Sequence, residues 1–336
     1  MRILGRMLRA PIHLGLQIPN FNFPDVSDEH LFERLSDIAA TAESSGFDTV
    51  LVMDHLHQIR GVGPPENLML EGNTILPALA ARTRRVNLSL LVGATTYRNP
   101  ALHAKITTTL DVISGGRAVH GIGAGWNVDE ATAYGYDFPS LGERFERLED
   151  HLNIARAMFT QSPASYQGKH HSIDGAFNNP QPIRGDIPIM IGGSGERKTL
   201  RMVAQYADAS NFFGDPDRVR HLCGVLEGHC ERLGRDMSEI TKTRLGTIVV
   251  APTQEEAERK AESTPLVANV PADRRATWVV GDPDTVAEKC SELLDAGLDG
   301  LIFNTPYVHE LETVELIGAT LGPLCSDVPS GRSSVG

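Results

Sequence analysis

The chain has 336 residues, 41 % of them apolar, and a formal net charge of −12. That length fits two ordinary domains or one large α/β barrel. The acidic balance argues against nucleic acid or an anionic membrane as a partner, so an anionic ligand must be held by local cations and backbone amides. Arg2, Arg6 and Arg9 hint at a signal peptide, but His13 and Gln17 break the short apolar stretch that follows. No run approaches the roughly 18 apolar residues of a membrane span. Cys223 and Cys230 fall on one expected helix, about 10 Å apart and too far to bridge, which suits a reducing, cytoplasmic compartment.

Strand and helix patterns alternate along the chain. Ile12 to Ile18 reads as a first strand, and Leu31, Leu35, Ile38, Ala39 and Ala42 mark one face of a helix that Gly46 ends. Thr49 to Met53 is a second strand, followed by Asp54-His55 and a long loop over 56–71 with Pro64-Pro65. After a helix from about Thr74 to Thr83 comes the most regular unit of the chain. There Val86 to Val92 forms a buried strand, Pro100 opens a helix that Ser114-Gly115-Gly116 stops, and Ala118 to Ile122 forms a parallel strand.

Past Trp126 a polar loop leads to a helix striped by Leu141, Phe145, Leu148, Leu152, Ala155 and Phe159. Residues 161–186, rich in Gly, Pro, Asn and His, read as an insertion over one end of the fold. Further strands are expected at Ile187 to Ile191, Ala209 to Phe213, Arg244 to Val250 and Leu301 to Asn304. Helices follow from Gly192–Gly195, Pro216, Gln254, Pro283 and Leu311. Eight strand–helix pairs give one α/β domain over 1–325, a (β/α)8 TIM barrel with insertions in its βα loops, and a disordered tail at 326–336. A doubly wound sheet is the structural rival.

In a barrel the chemistry sits just past the strand C-termini. There His55 can give and take a proton near neutral pH, with Asp54 beside it to accept hydrogen bonds or orient a partner; both can equally be loop-capping and packing residues. His57 completes an Asp-His-x-His cluster, but the later strand ends offer Gly, Asn and Thr, and His120 lies inside its strand, so no metal site is expected. Gly192-Gly193-Ser194-Gly195, followed by Glu196, Arg197 and Lys198, stands where amides and cations can bind an anion. Gly121-Ile122-Gly123-Ala124-Gly125-Trp126 fails the dinucleotide fingerprint at Trp126, which can flank a flat ring or pack in the core.

These pieces resemble the luciferase-like monooxygenase superfamily of flavin- and deazaflavin-dependent barrels. The resemblance runs through LVMDHLHQI (51–59), TTYRNPALHAKITTTLDVISGGRAVHGIGAGW (95–126), LGERFERLEDHL (141–152) and IPIMIGGSGERKTLRMVAQYAD (187–208). GVGPPENLMLEG (61–72) is similar to the branch that uses the deazaflavin coenzyme F420. The resemblance implies a cofactor ring across the C-terminal mouth, with F420 as cofactor and FMN as the alternative. It implies His55 at the catalytic position and Asp54, Gly125, Trp126 and Arg197 around the cofactor. Leu91-Val92-Gly93 matches a stretch that often holds a non-prolyl cis peptide, and Gly192–Gly195 the phosphate-binding turn. It also implies a homodimer acting on a small molecule. In relatives that oxidise sugar phosphates a Glu stands where Trp126 stands here, so an apolar or aromatic substrate suits this chain better. The implied reaction is hydride transfer to or from the deazaflavin with His55 moving the proton. Rival readings are an FMN monooxygenase, a non-catalytic cofactor binder and a metal hydrolase.

Overall fold

A computed structural model describes residues 12–264 and 270–326; the expected tail from 327 onward and the arginines before residue 12 lie outside them. In chain order the strands are β1 (Leu14–Ile18), β2 (Thr49–Val52), β3 (Asn87–Leu90), β4 (Gly93–Ala94), β5 (Ala118–Gly123), β6 (Ala164–Gln167), β7 (Ser172–Ala176), β8 (Ile189–Gly192), β9 (Ala209–Phe212), β10 (Thr241–Val250), β11 (Val279–Gly281) and β12 (Gly300–Asn304). The helices are α1 (Leu31–Ser44), α2 (Gly72–Arg82), α3 (Pro100–Ser114), α4 (Val128–Ala133), α5 (Leu141–Thr160), α6 (Thr199–Tyr206), α7 (Pro216–Leu233), α8 (Gln254–Ser263), α9 (Ala272–Arg275), α10 (Pro283–Asp295) and α11 (Leu311–Ser326).

Parallel pairing runs β1-β2-β3-β5-β8-β9-β10-β12 and returns from β12 to β1 at Leu14↔Leu301, so the sheet closes. This is the expected (β/α)8 barrel. The barrel strands are covered on both faces, which is why β2 (TVLV) and β8 (IMIG) are almost wholly apolar. Leu301 and Phe303 pack outward under the helices, while Ile302 joins Leu51, Val119 and Met190 on the barrel axis.

Two departures from the sequence reading bear on the site. Val86 to Val92 is not one strand: β3 stops at Leu90, the Leu91–Val92 peptide is cis, and β4 resumes at Gly93 beside β5. The expected helix at Gly192–Gly195 begins only at Thr199, because the intervening turn closes with a Leu200 N–H donating to Gly195 O at 3.0 Å. The 161–186 insertion carries the β6–β7 hairpin but joins α5 to β8, so it lies in an αβ loop at the N-terminal end of that strand and not in a βα loop as expected. Its tip is fastened to α5, where the Asp150 carboxylate accepts from the amides of Lys169, His170 and His171.

Candidate active site

Strand β2 delivers Asp54 and His55 to the mouth of the barrel. Asp54 Oδ2 accepts from the Ala94 amide at 2.9 Å and from Arg98 Nη1 at 2.7 Å, tying the end of β2 to β4. Arg98 also reaches Glu71, the N-cap of α2. Burial pushes the Asp54 carboxyl up, and the Arg98 guanidinium with the Ala94 amide pulls against that rise. Its second oxygen, Oδ1, is buried without a partner, as are Thr95 Oγ1 and Thr96 Oγ1 just past β4. Orphaned buried oxygens demand an explanation, and a bound polar group supplies one.

His55 leans on a residue that the sequence reading missed. Its Nδ1 lies 2.7 Å from Glu130 Oε2, and Tyr97 Oη donates to the same oxygen at 2.7 Å. The Leu56 amide donates to Oε1, and the His57 amide does so at 3.3 Å. Glu130 is 0 % exposed. Burial alone raises a carboxyl, but here the bonds from His55, Tyr97 and Leu56 outweigh it and hold Glu130 down to about 2. An ionised carboxylate is acceptor-only, so His55 Nδ1 carries the hydrogen and Nε2 is the nitrogen left for proton exchange. The signal for Glu130 was present: Asn127 accepts from the Glu130 amide at 3.4 Å, an N-cap followed three residues later by Glu, which starts α4 where only a loop was expected.

Trp126 is 63 % exposed and meets His55 edge-on, with ring centroids 5.4 Å apart, so the core-packing alternative fails. Gly125 before it has φ +75°, and its carbonyl accepts from Arg144. Across the mouth, Val92 fills the space that glycine leaves open: a Cβ on Gly123 or Gly192 would stand 2.9 or 2.8 Å from Val92 Cγ2. Leu91 joins the axial core below, and Gly93 packs against His103.

The Gly192–Gly195 turn is only partly open to a ligand. The Gly193 amide donates to Asn211 O at 3.0 Å, and Ser194 Oγ accepts from the Phe213 amide at 3.0 Å. The amides of Ser194, Gly195, Glu196 and Arg197 make no backbone hydrogen bond among the described residues. Arg197 is exposed beside them, while Glu196 is taken by Arg218 at 2.7 Å. His57, the other half of the Asp-His-x-His cluster, bonds the Gln58 carbonyl through Nδ1.

A closed parallel barrel with an imidazole–carboxylate pair and glycine-rich turns at its C-terminal mouth is an enzyme barrel in arrangement. Within that class the chain belongs to the luciferase-like monooxygenase family, whose pattern it matches over residues 12–274. It is 30 % identical to the F420-dependent glucose-6-phosphate dehydrogenase of Nocardia farcinica over 322 residues, 86 % of this chain and 93 % of that one. Among solved structures it resembles the coenzyme F420-dependent tetrahydromethanopterin reductase of Methanopyrus kandleri, with a TM-score of 0.76, 20 % identity, and coverage of 93 % of this chain and 99 % of that one. It also resembles the oxygenating constituent of 3,6-diketocamphane monooxygenase from Pseudomonas putida, a complex with FMN, with a TM-score of 0.74, 20 % identity and coverage of 93 % and 98 %.

Proposed function

We propose that this protein is an F420-dependent oxidoreductase in which His55 exchanges the proton that accompanies hydride transfer to or from a small organic substrate. The observation that carries this reading is the Glu130–His55 pair, which fixes the imidazole in one tautomer at the mouth. Asp54, Leu91 to Gly93, Gly125, Trp126, Gly192 to Gly195 and Arg197 would hold the cofactor. The unpartnered oxygens of Asp54, Thr95 and Thr96 suit a flat group rich in hydrogen-bonding atoms, and the amides of 194–197 suit its anionic end. When bound, F420 supplies hydride chemistry at its C5 carbon; the chain supplies position, exclusion of water and the proton.

The Nocardia relative carries F420 and glucose 6-phosphate in its name, and the cofactor is the part we transfer. Glu130 does not replace the acid missing at position 126, because a buried carboxylate held down to about 2 cannot act as a proton donor. Exposed Trp126 beside His55 favours an apolar or aromatic substrate instead.

Fluorescence titration with F420 and, separately, with FMN tests the cofactor. Tight F420 binding is expected, whereas tight binding of FMN alone would make the protein a flavin monooxygenase. Oxidised and reduced F420 are then screened against enones, alcohols and aldehydes. His55→Ala should abolish turnover while cofactor binding survives; a variant that turns over normally removes His55 from its role.

A further inference from the structure

Outside the mouth, behind the barrel wall, three histidines meet in the dry layer between sheet and helices. His103 comes from α3, His120 from β5 and His151 from α5, and each is no more than 1 % exposed. Their ring centroids stand 4.6, 5.1 and 5.5 Å apart, and one nitrogen from each lies within 4.8 Å of the others. We propose that His103, His120 and His151 form a buried site for a divalent transition-metal ion, zinc foremost, at the α3–β5–α5 junction.

Four ring nitrogens of the trio have no hydrogen-bond partner: His103 Nδ1, His120 Nε2 and both nitrogens of His151. Tight packing accounts for the burial of three rings, but it leaves those atoms desolvated with nothing in return. A metal ion satisfies one from each ring at once. Thr107 prepares one of them. Its hydroxyl donates to the His103 carbonyl at 3.0 Å, so its oxygen can only accept from His120 Nδ1 at 2.8 Å. That leaves Nε2 of His120 as a bare lone pair, the orientation that an outer hydrogen bond gives a metal-bound imidazole.

Ligand chemistry and charge agree. Metals bind neutral imidazole. Burial and the neighbouring cations keep all three rings far below the ordinary histidine value, with His120 down to about 3. The neighbouring guanidiniums oppose an added cation only in part, because Arg98 is held between Asp54 and Glu71, and Arg156 between Asp186 and Asp208. Around a tetrahedral zinc with Zn–N bonds of about 2.0–2.1 Å, imidazole centroids fall roughly 5 Å apart, which is the spacing found here. Because His103 packs directly on Gly93, the ion would brace the wall behind the cis-peptide segment. The ligands stand at positions 103, 120 and 151, with none of the short spacing that marks a metal motif in sequence, so a reading that set His120 aside as lying inside its strand expected no metal.

The test is elemental analysis of the untagged full-length protein, followed by titration with zinc and cobalt(II). We expect about one zinc per chain, a rise in Tm of about 5 °C with saturating zinc, and visible cobalt absorption of a four-coordinate site. X-ray absorption at the zinc edge should show three imidazoles. His151→Leu should lose the ion while His30→Ala, at an exposed histidine, keeps it; Thr107→Val should bind zinc about 10–100-fold more weakly. Should His151→Leu fail to fold, the absorption spectra of the unmutated protein decide. Protein that neither contains nor takes up metal, a zinc shell without imidazole, or a folded His151→Leu with unchanged metal overturns the proposal.

Discussion

His55 and Glu130 stand 75 positions apart in the chain, yet their side chains meet at 2.7 Å. The carboxylate comes from a helix of six residues, and the imidazole from the first positions past β2. The short helix therefore sets the tautomer of the residue that the proposed chemistry depends on.

Replacing Glu130 with Gln should lower kcat about 10–100-fold and leave cofactor affinity within a few-fold, because Gln cannot hold an imidazolium as a carboxylate does. The check is steady-state kinetics beside a cofactor titration. Parallel loss of binding and turnover would show that Glu130 shapes the cofactor pocket instead of orienting His55.

The same carboxylate makes an acid-stability prediction. Glu130 is held at about 2 in the folded protein, below its ordinary 4.5. As pH falls the unfolded chain takes up its proton first, so the stabilisation is complete above about 4.5 and is lost between there and about 2. A shift of that size corresponds to roughly 3 kcal/mol. Denaturant melts at several pH values should show a shallower acid loss in Glu130→Gln than in the parent; equal slopes would count against a strongly held carboxylate.

Arg98 and Asp54 are a buried pair, 2.7 Å apart, with Glu71 as a half-buried third member. Arg98→Leu strands the Asp54 carboxylate and should cost about 3–5 kcal/mol. Adding Asp54→Asn should return part of that loss, so the double variant is more stable than the sum of the singles. Urea unfolding of the four proteins measures the coupling, and strict additivity would mean that the pair does not interact.

How much of this was legible depended on whether the signal was local. The eight strands and their helices were readable because each carries its own period and stop signal: Pro100 and Gly115 bound α3, Pro216 and Gly234 bound α7. His55, Trp126 and the glycine turns were readable as strand-end residues. What was missed is non-local. Nothing near Glu130 says that it reaches His55. Nothing near Gly193 says that its amide is already taken by Asn211. The histidine trio is three lone residues in sequence and becomes a cluster only when α3 and α5 fold over β5.

Val92, Gly123 and Gly192 interlock at the mouth. In Gly192→Ala the new methyl would sit 2.8 Å from one Val92 methyl, closer than real carbon contacts allow, and a tight 3.0 Å from the other. Overpacking of this kind costs about 1–3 kcal/mol. The β8 end or Val92 must move, and both border the proposed cofactor site, so F420 affinity should fall with stability. Val92→Ala removes the colliding methyls, and the double variant should regain most of the binding lost by Gly192→Ala. A double variant that binds no better than the single would place the damage in the 193–197 turn rather than in the Val92 contact.

Trp126 separates the substrate reading from the cofactor reading. The residue is 63 % exposed, and at the site its ring meets His55 edge-on. Trp126→Ala should therefore cost little stability while exposing the His55 face to water. For an apolar or aromatic substrate it should raise KM about 10-fold or more, in keeping with the loss of a large aromatic contact surface. F420 affinity should change less than the substrate term, since the oxygens of Asp54, Thr95 and Thr96 and the 194–197 amides are untouched. Trp126→Glu puts a carboxyl beside His55 and should penalise apolar substrates further. If that variant instead turned over a sugar phosphate that the parent ignores, residue 126 would be the specificity switch. If neither variant altered the substrate profile, the apolar-substrate proposal would have lost its structural basis.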